Sequence, residues 1–412
     1  MNMDVRTLPD HTFPDQPRLL ISRDALLHNV RQIRQRLLPG TKICAMVKAD
    51  GYGHGADLIC DTLCNFESDH LPTPAVDLLG VGCMEEAAGL AETSLPVLVL
   101  RAVENGYVGP ARSAIEHAIR SGWILTIGSC ACADDIARIA MSIQKRALVH
   151  VMIDSGMTRC GCSANEAVEL LKRIDSKTSL SLYSLGTHLA TADVPNDPYV
   201  IEQLGRFRQA TDAFVNQRDR KPIRTVANSG GIFFSPATHM NMVRPGISLY
   251  GIDPTCNPNM NRPLKPVAKW VASLISILDA KAGSSIGYGR TWRVPSDTRV
   301  GLVPVGYADG YPRCLGNRAM MIIDGKAVPV VGRVSMDLIT VDLRDVPQAQ
   351  VGDEVVVMDD DPISPASAYR LAEAANTIPY ELFTRIGSRV KRVATQKIST
   401  QSTEHTEVGI EE

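Results

Sequence analysis

The chain has 412 residues, of which 44% are hydrophobic and 21% are charged, and its net charge at pH 7 is −2. This length exceeds a typical single-domain core and predicts two domains, and the composition is that of an ordinary soluble globular protein. The nearly balanced charge leaves no basic field for nucleic acid or an anionic membrane, so we expect neither as a partner.

Residues 1–17 are polar and charged, so we expect a flexible segment that lacks the apolar centre of a signal peptide. No apolar stretch approaches the roughly 20 residues that a membrane helix needs. The ten cysteines are irregularly spaced, and neither Cys130-Ala-Cys132 nor Cys160-Gly-Cys162 has a partner in ligand register. We therefore expect structural thiols, no metal and a reducing, cytoplasmic location.

Between residues 18 and 262, apolar runs typical of strands alternate with helical patterns. This alternation is typical of a (β/α)8 TIM-type barrel or of a doubly wound open sheet. The strand-like runs are residues 42–47, 75–80, 97–100, 148–153, 180–186, 224–227 and 242–243, and the helical patterns are 24–37, 85–92, 111–121, 133–146, 164–175 and 197–217.

Residues 263–395 are predicted to form a second, mainly-β domain. Segments rich in Val and Ile follow one another between Gly, Asp and Pro turns. Ser364-Pro365 offers an N-cap and N1 pair for one late helix that runs to about Asn376. Residues 396–412 are expected to be a flexible tail. The β segments are residues 274–278, 300–305, 319–323, 328–331, 338–343 and 354–358.

Lys48 comes at the end of the first strand-like run and is followed by a glycine-rich turn. Burial lowers the pKa of an amine and so supplies the neutral nucleophile that can bond to an aldehyde. A lysine at the end of a strand, with its ammonium group reaching solvent, is the alternative interpretation of this residue alone.

Polar residues follow four later strand-like runs, at the face where barrel enzymes keep their sites. They are Arg159, His188, Asn228-Ser229 and Arg244-Pro-Gly-Ile247. The last two turns offer backbone N–H groups and a hydroxyl in the loops where barrels commonly bind phosphate. Together with Lys48, they predict a phosphorylated cofactor with an aldehyde, which is pyridoxal 5′-phosphate.

A series of ordered motifs runs from about Leu20 to Val393. They include Val-Lys-Ala-Asp-Gly-Tyr-Gly-His-Gly at 47–55, Asp-Ser-Gly-Met-Thr-Arg at 154–159, Gly-Thr-His-Leu-Ala-Thr-Ala-Asp at 186–193, Met-Val-Arg-Pro-Gly-Ile at 242–247, Val-Gly-Tyr-Ala-Asp-Gly-Tyr at 305–311 and Gly-Arg-Val-Ser-Met-Asp at 332–337. In these motifs the chain resembles the alanine racemases, barrel-type pyridoxal-phosphate enzymes of fold type III.

The resemblance implies an isomerase that interconverts L-alanine and D-alanine with two bases and supplies D-alanine for peptidoglycan. Lys48 would bind the cofactor covalently and serve the D-antipode, and Tyr288 would serve the L-antipode from the opposite face. The resemblance also implies a homodimer in which Tyr288, Tyr307 and Met336 reach the partner's site. A broader racemase that acts on serine or basic amino acids stays open as the alternative.

The same resemblance assigns the other site residues. Arg244 would donate to the cofactor's pyridine nitrogen, because an arginine stays cationic and cannot accept. Arg159 would bind the cofactor's phenolic oxygen and the substrate carboxylate, and His188 with Arg244 would make the surroundings of Tyr288 cationic. The cofactor-binding set would be Lys48, Tyr52, His188, Asn228, Ser229, Arg244, Gly246, Ile247 and Tyr380, and the substrate-binding set Arg159, Tyr307 and Met336.

Met152 departs from the family pattern, in which many members carry a lysine seven residues before the motif arginine. That lysine is often carbamylated, and its charge positions the arginine. We expect Arg159 to point inward as a partly buried cation, which then needs another counter-charge. A bound chloride and a carboxylate from elsewhere in the chain are both open as candidates.

Two other classes of pyridoxal protein have related barrels. Barrel-type decarboxylases typically place a carboxylate at the pyridine nitrogen, and Arg244 and Tyr288 argue against that class. Single-domain pyridoxal-binding proteins consist of a barrel alone, and the β segments after Pro266 argue against them.

Overall fold

The computed structural model describes residues 16–67, 71–90, 93–103, 110–259 and 262–396. The chain divides into two compact units, one of residues 23–265 and one of residues 1–22 with 266–412. Nearly all of the two expected flexible ends, 1–17 and 396–412, lies outside the described residues. Within the described ranges, no helix combines the length and the apolar character needed to span a membrane.

The first strand, β1 (Arg18–Ser22), belongs to the smaller unit. It pairs antiparallel with Ala268–Ser273 and parallel with Lys391–Thr395. The domain boundary expected at residue 18 is therefore wrong, because the barrel unit begins at Arg23. The sequence of a five-residue apolar run does not specify which strands pair with it.

Eight parallel strands of the larger unit close into a barrel, which confirms the predicted fold and excludes the open sheet. Each strand pairs with the next, and the last pairs with the first through Met242↔Lys42 and Val243↔Ile43. The barrel strands are β2 (Lys42–Met46), β3 (Leu78–Val81), β4 (Val97–Val103), β5 (Ile124–Ile127), β6 (Ala147–Asp154), β8 (Leu180–Gly186), β9 (Ile223–Thr225) and β10 (Met242–Val243), and the two-residue β7 (Cys162–Ser163) pairs with β6 alone. The run 124–127 is absent from the predicted strands.

The helices of this unit follow the predicted alternation. In the first helix, the buried residues Leu26, Val30 and Ile33 recur at helical spacing and cover one face. Ser163 and Glu166 form a capping box that begins the helix predicted at 164–175. The helices are α1 (Arg23–Arg34), α2 (Lys48–Tyr52), α3 (Ala56–Asn65), α4 (Met84–Gly89), α5 (Pro110–Arg120), α6 (Cys130–Ser142), α7 (Ala164–Asp175), α8 (Tyr199–Asn216) and α9 (Ser229–Phe234).

The smaller unit is mainly β, as predicted. A six-stranded sheet has the order β17-β16-β19-β11-β1-β20, and a three-stranded sheet has the order β12-β15-β18. The strands are β11 (Ala268–Ser273), β12 (Ser276–Ala280), β13 (Ser285–Ile286), β14 (Trp292–Arg293), β15 (Thr298–Val303), β16 (Met320–Ile323), β17 (Lys326–Pro329), β18 (Ile339–Asp342), β19 (Glu354–Met358) and β20 (Lys391–Thr395).

Two helices occur where one was predicted, α10 (Ala368–Ala375) and α11 (Pro379–Arg385). The N-cap of α10 is Ser367, whose side chain accepts from the Arg370 N–H, so the predicted start at Ser364 is wrong. Ser364 instead closes a turn, because its carbonyl accepts from the Ser367 N–H at 3.0 Å. A serine beside a proline has the same local signature in both roles.

Candidate active site

The predicted site residues of the barrel unit follow strand ends at one rim. Lys48 follows β2, Arg159 follows β6, His188 follows β8, Asn228 and Ser229 follow β9, and Arg244 follows β10. Because the carboxyl ends of the parallel strands of a barrel meet at one face, these side chains share that face.

The turn that follows Lys48 has a left-handed backbone. Ala49, Asp50, Gly51 and Tyr52 have φ angles of 52°, 53°, 60° and 55°. Residues with a side chain rarely adopt this conformation, so the turn must be held by its surroundings. It brings the Lys48 Nζ to 5.9 Å from the centre of the Tyr52 ring.

The Lys48 amine lies among other cations. Burial lowers its pKa, the nearby Arg159 and Arg244 lower it further, and Glu86 opposes them. The amine has no hydrogen-bond partner among the residues that the structure describes. A partly buried amine with a lowered pKa has the properties of a nucleophile, in contrast to a solvated strand-end lysine.

Arg244 is buried and held rigidly. Its Nη1 donates to Thr225 Oγ1 at 2.6 Å, and its Nη2 donates to the Thr187 carbonyl at 2.6 Å. Burial lowers its pKa to about 10, which leaves the guanidinium charged at neutral pH. Arg244 is therefore a fixed, donor-only cation below the rim of the barrel.

His188 is neutral near pH 7. Burial lowers its pKa well below the ordinary value, and Arg244, Arg159 and Lys48 lower it further. The expectation that His188 adds positive charge around Tyr288 is therefore wrong. The sequence motif places His188 just after a strand-like run, but only the fold buries it and brings Arg244, Arg159 and Lys48 near it.

Tyr52, Ser229 and Gly246 form a close-packed group beside these cations. A Cβ at Gly246 would overlap the Tyr52 hydroxyl, so only glycine allows this approach. The Ser229 Oγ accepts from the Gly246 N–H at 2.8 Å. Ile247 is fully buried, and its N–H makes no hydrogen bond within the described part of the chain.

These features fit a cofactor that carries a phosphate and an aldehyde. The hydroxyls of Tyr52 and Ser229 and the free N–H of Ile247 are groups of the kind that bind phosphate. Lys48 is the amine that an aldehyde needs. Among the described residues, no group of three or more His, Cys, Asp or Glu side chains is arranged to hold a metal ion.

Arg159 is exposed within the barrel unit, so the expectation of a partly buried cation is wrong there. Met152 is buried, at 3% exposure. Within one copy of the chain, no described carboxylate forms an ion pair with Arg159. An exposed guanidinium is solvated and does not carry the cost that burial would impose.

Four predicted site residues lie in the smaller unit. Tyr288 is 70% exposed and stands between Gly287 and Gly289, whose φ angles are 69° and 73°. Tyr307 is 43% exposed and Met336 is 53% exposed. Tyr380 lies in α11 and is partly buried.

Two further residues, absent from the predicted set, support the site. Glu86 of α4 accepts from the Ala49 N–H at 2.8 Å, directly after Lys48. Gln203 of α8 is fully buried, accepts from the Ala190 N–H at 2.8 Å and donates to the His188 carbonyl at 3.0 Å. For Glu86, the signal was its place at the start of the helical pattern that follows the strand-like run 75–80, but the adjacent Glu85 shares that signal.

Comparison with known proteins agrees with this geometry. Residues 21–254 match the family model described as "Alanine racemase, N-terminal domain", and residues 267–394 match "Alanine racemase, C-terminal domain". The chain belongs to the alanine racemase family. Both matched regions follow the division into a barrel unit and a β unit.

Individual alanine racemases are similar over nearly the whole chain. The alanine racemase of Desulfovibrio desulfuricans is 36% identical over 90% of this chain and 96% of its own. The structure of alanine racemase from Streptomyces coelicolor A3(2) superposes with a TM-score of 0.81 at 30% identity, over 93% of this chain and 98% of its own. The structure from Bartonella henselae, described with covalently bound pyridoxal phosphate, has a TM-score of 0.79 at 27% identity and covers 92% of this chain and 99% of its own.

Proposed function

We propose that this chain is an alanine racemase that uses pyridoxal 5′-phosphate to interconvert L-alanine and D-alanine. The observation that carries the proposal is the Lys48 amine, whose pKa is lowered by burial, Arg159 and Arg244 at the rim of the barrel. Membership of the alanine racemase family supports the substrate, and it favours alanine over the broader racemase.

The bound cofactor supplies an electron-withdrawing ring that acidifies the substrate Cα–H bond. Lys48 holds the cofactor and, once free, moves a proton at its Nζ on one face of the substrate. The Tyr288 hydroxyl moves a proton on the other face, since inversion requires removal from one side and return on the opposite side. Tyr52, Ser229 and Ile247 would hold the phosphate, and the same role for Tyr380 rests on the family resemblance alone.

Arg244 and Arg159 have different roles in the proposed mechanism. Three N–H groups of Arg244 are directed at Thr225, Thr187 and His188, which leaves two of its five for the cofactor's pyridine nitrogen. Because Arg244 donates and stays charged, it leaves that nitrogen unprotonated. Arg159, exposed and without a carboxylate partner among the described residues, binds the substrate carboxylate.

We also propose that the active enzyme is a homodimer with shared sites. Tyr288 of the partner subunit would face Lys48, with Tyr307 and Met336 of the partner subunit closing the substrate side. Three large, exposed side chains in one unit support this assembly, because such residues mark interaction surfaces. A cytoplasmic enzyme that supplies D-alanine for peptidoglycan fits a chain whose ten cysteines are all free.

The test is a chiral assay of all the common amino acids with purified enzyme, combined with borohydride reduction. Alanine should be racemised fastest, and the cofactor mass should be fixed on the peptide that contains Lys48. Lys48→Ala should abolish both racemisation and labelling. Label on another peptide refutes the role of Lys48, and faster turnover of serine or a basic amino acid refutes the substrate.

A further inference from the structure

Glu86 joins two strand ends of the barrel through one carboxylate. It lies in α4, and its Oε1 accepts from the Ala49 N–H at 2.8 Å while its Oε2 accepts from the Gly82 N–H at 2.6 Å. Gly82 directly follows β3, and Ala49 is the first left-handed residue after Lys48. Hydrogen bonds from N–H groups to a carboxylate are short and strong, so this is a firm link.

The same carboxylate lies beside Lys48. A Cβ at Gly82 would be 3.1 Å from Glu86 Oε2 and 3.7 Å from the Lys48 Cβ. The Glu86 carboxylate and the base of the Lys48 side chain therefore both border the small space beside Gly82. Among the residues that the structure describes, Glu86 is the one acid that raises the Lys48 pKa, against burial and two arginines.

The left-handed turn needs such a link. Three of the four successive residues with positive φ carry a side chain and store strain, and a strained backbone persists only where its surroundings fix it. Ala49 is the first residue of the turn, so the acceptor of its N–H fixes the backbone position directly after Lys48. The Glu86 carboxylate, on the short helix α4, reaches that N–H from outside the turn.

We propose that Glu86 is the positioning residue of Lys48. Its carboxylate anchors the left-handed turn behind the lysine and is the negative charge that balances the amine among cations. The other charged or titratable groups around Lys48 are Arg159, Arg244, His188 and Tyr52. That Lys48 is the reactive amine rests on the proposed function; the anchoring and the charge balance do not.

The test measures the titration of Lys48 in the full chain freed of cofactor. Trace acetic anhydride is applied from pH 6 to pH 11, and acetylation of the Lys48 peptide is measured by mass spectrometry. Glu86→Gln removes the negative charge, so the midpoint for Lys48 should fall by about 1 pH unit. Glu86→Asp keeps the charge, so its midpoint should fall by no more than half as much as the midpoint of Glu86→Gln.

The matched control is Glu85→Gln, which removes an exposed carboxylate from the same helix and should leave the midpoint unchanged. Circular dichroism of each variant verifies the fold. An unchanged or raised midpoint in Glu86→Gln, or an equal fall in Glu85→Gln, overturns the proposal. The titration needs neither cofactor nor turnover. The proposed role of Glu86 can therefore be refuted while the proposed racemase activity is confirmed, and the racemase activity can be refuted while the role of Glu86 is confirmed.

Discussion

The Nη2 of Arg244 lies 3.5 Å from the Nδ1 of His188. A guanidinium only donates, so Nδ1 accepts and the proton of the neutral imidazole sits on Nε2. In this tautomer the Nε2–H faces the Asn228 Nδ2, which is also a donor, at 3.5 Å. The Nε2–H can therefore donate to another acceptor. Burial keeps the His188 imidazole neutral, Arg244 adds to that effect, and Arg244 also favours the tautomer whose proton is on Nε2.

Tyr288→Phe keeps the ring and removes only the proton carrier. We expect normal cofactor binding and a loss of about 100-fold or more in racemisation in both directions. Solvent-isotope exchange should be affected unequally for the two antipodes, because each base serves one face. Tyr183→Phe, in β8, is the control and should retain activity; near-native turnover of the Tyr288 variant would refute the two-base scheme.

Mixing of two inactive variants tests the shared sites. Lys48→Ala lacks the cofactor lysine and Tyr288→Phe lacks the second base, so a heterodimer of the two can assemble one intact site. We expect racemase activity to reappear after the subunits exchange, with exchange verified by mass-tagged chains. Absence of rescue in verified heterodimers would count against composite sites.

Gly246→Ala tests the close packing of the phosphate-binding group. The new Cβ would overlap the Tyr52 hydroxyl, so one of them must move, at a cost of about 1–3 kcal/mol. We expect weaker cofactor retention on dialysis, by tenfold or more. Gly205→Ala is the control, because nothing lies within 4 Å of its Cβ and it should retain cofactor normally.

His150 makes the stability of the enzyme sensitive to acid. Its Nδ1 lies 2.7 Å from Ser184 Oγ, and burial, aided by nearby Arg244, lowers its pKa to about 3. Below pH 6.5 the unfolded chain takes up a proton here that the folded chain does not. This contribution to stability is therefore complete above pH 6.5 and is lost as the pH falls toward 3.

Between pH 7.5 and pH 5, this one group should lower the free energy of unfolding by about 2 kcal/mol. His150→Asn removes the titrating group, so the variant should lose about that much less over the same interval, whatever its stability at pH 7.5. Urea unfolding at the two pH values measures the difference. An identical loss in both proteins would show that His150 does not stay neutral in the folded state.

Local sequence determined the features that depend on neighbours along the chain. The alternation of apolar runs and helical patterns predicted strands that alternate with helices, as in a barrel or a doubly wound open sheet, because a strand end and the turn after it are set within about ten residues. Lys48 and Arg244 were found in this way, as polar residues that directly follow apolar runs. The capping box of Ser163 and Glu166 likewise marked the start of α7.

Only the tertiary structure decided the features that depend on distant residues. β1 joins the second unit because it pairs with β11 and β20, and residues 18–22 alone do not specify these partners. His188 is neutral because the barrel buries it and also brings Arg244, Arg159 and Lys48 to it. Glu86 differs from Glu85 only in where α4 aims its carboxylate, since backbone pairing and electrostatic fields act across space and not along the sequence.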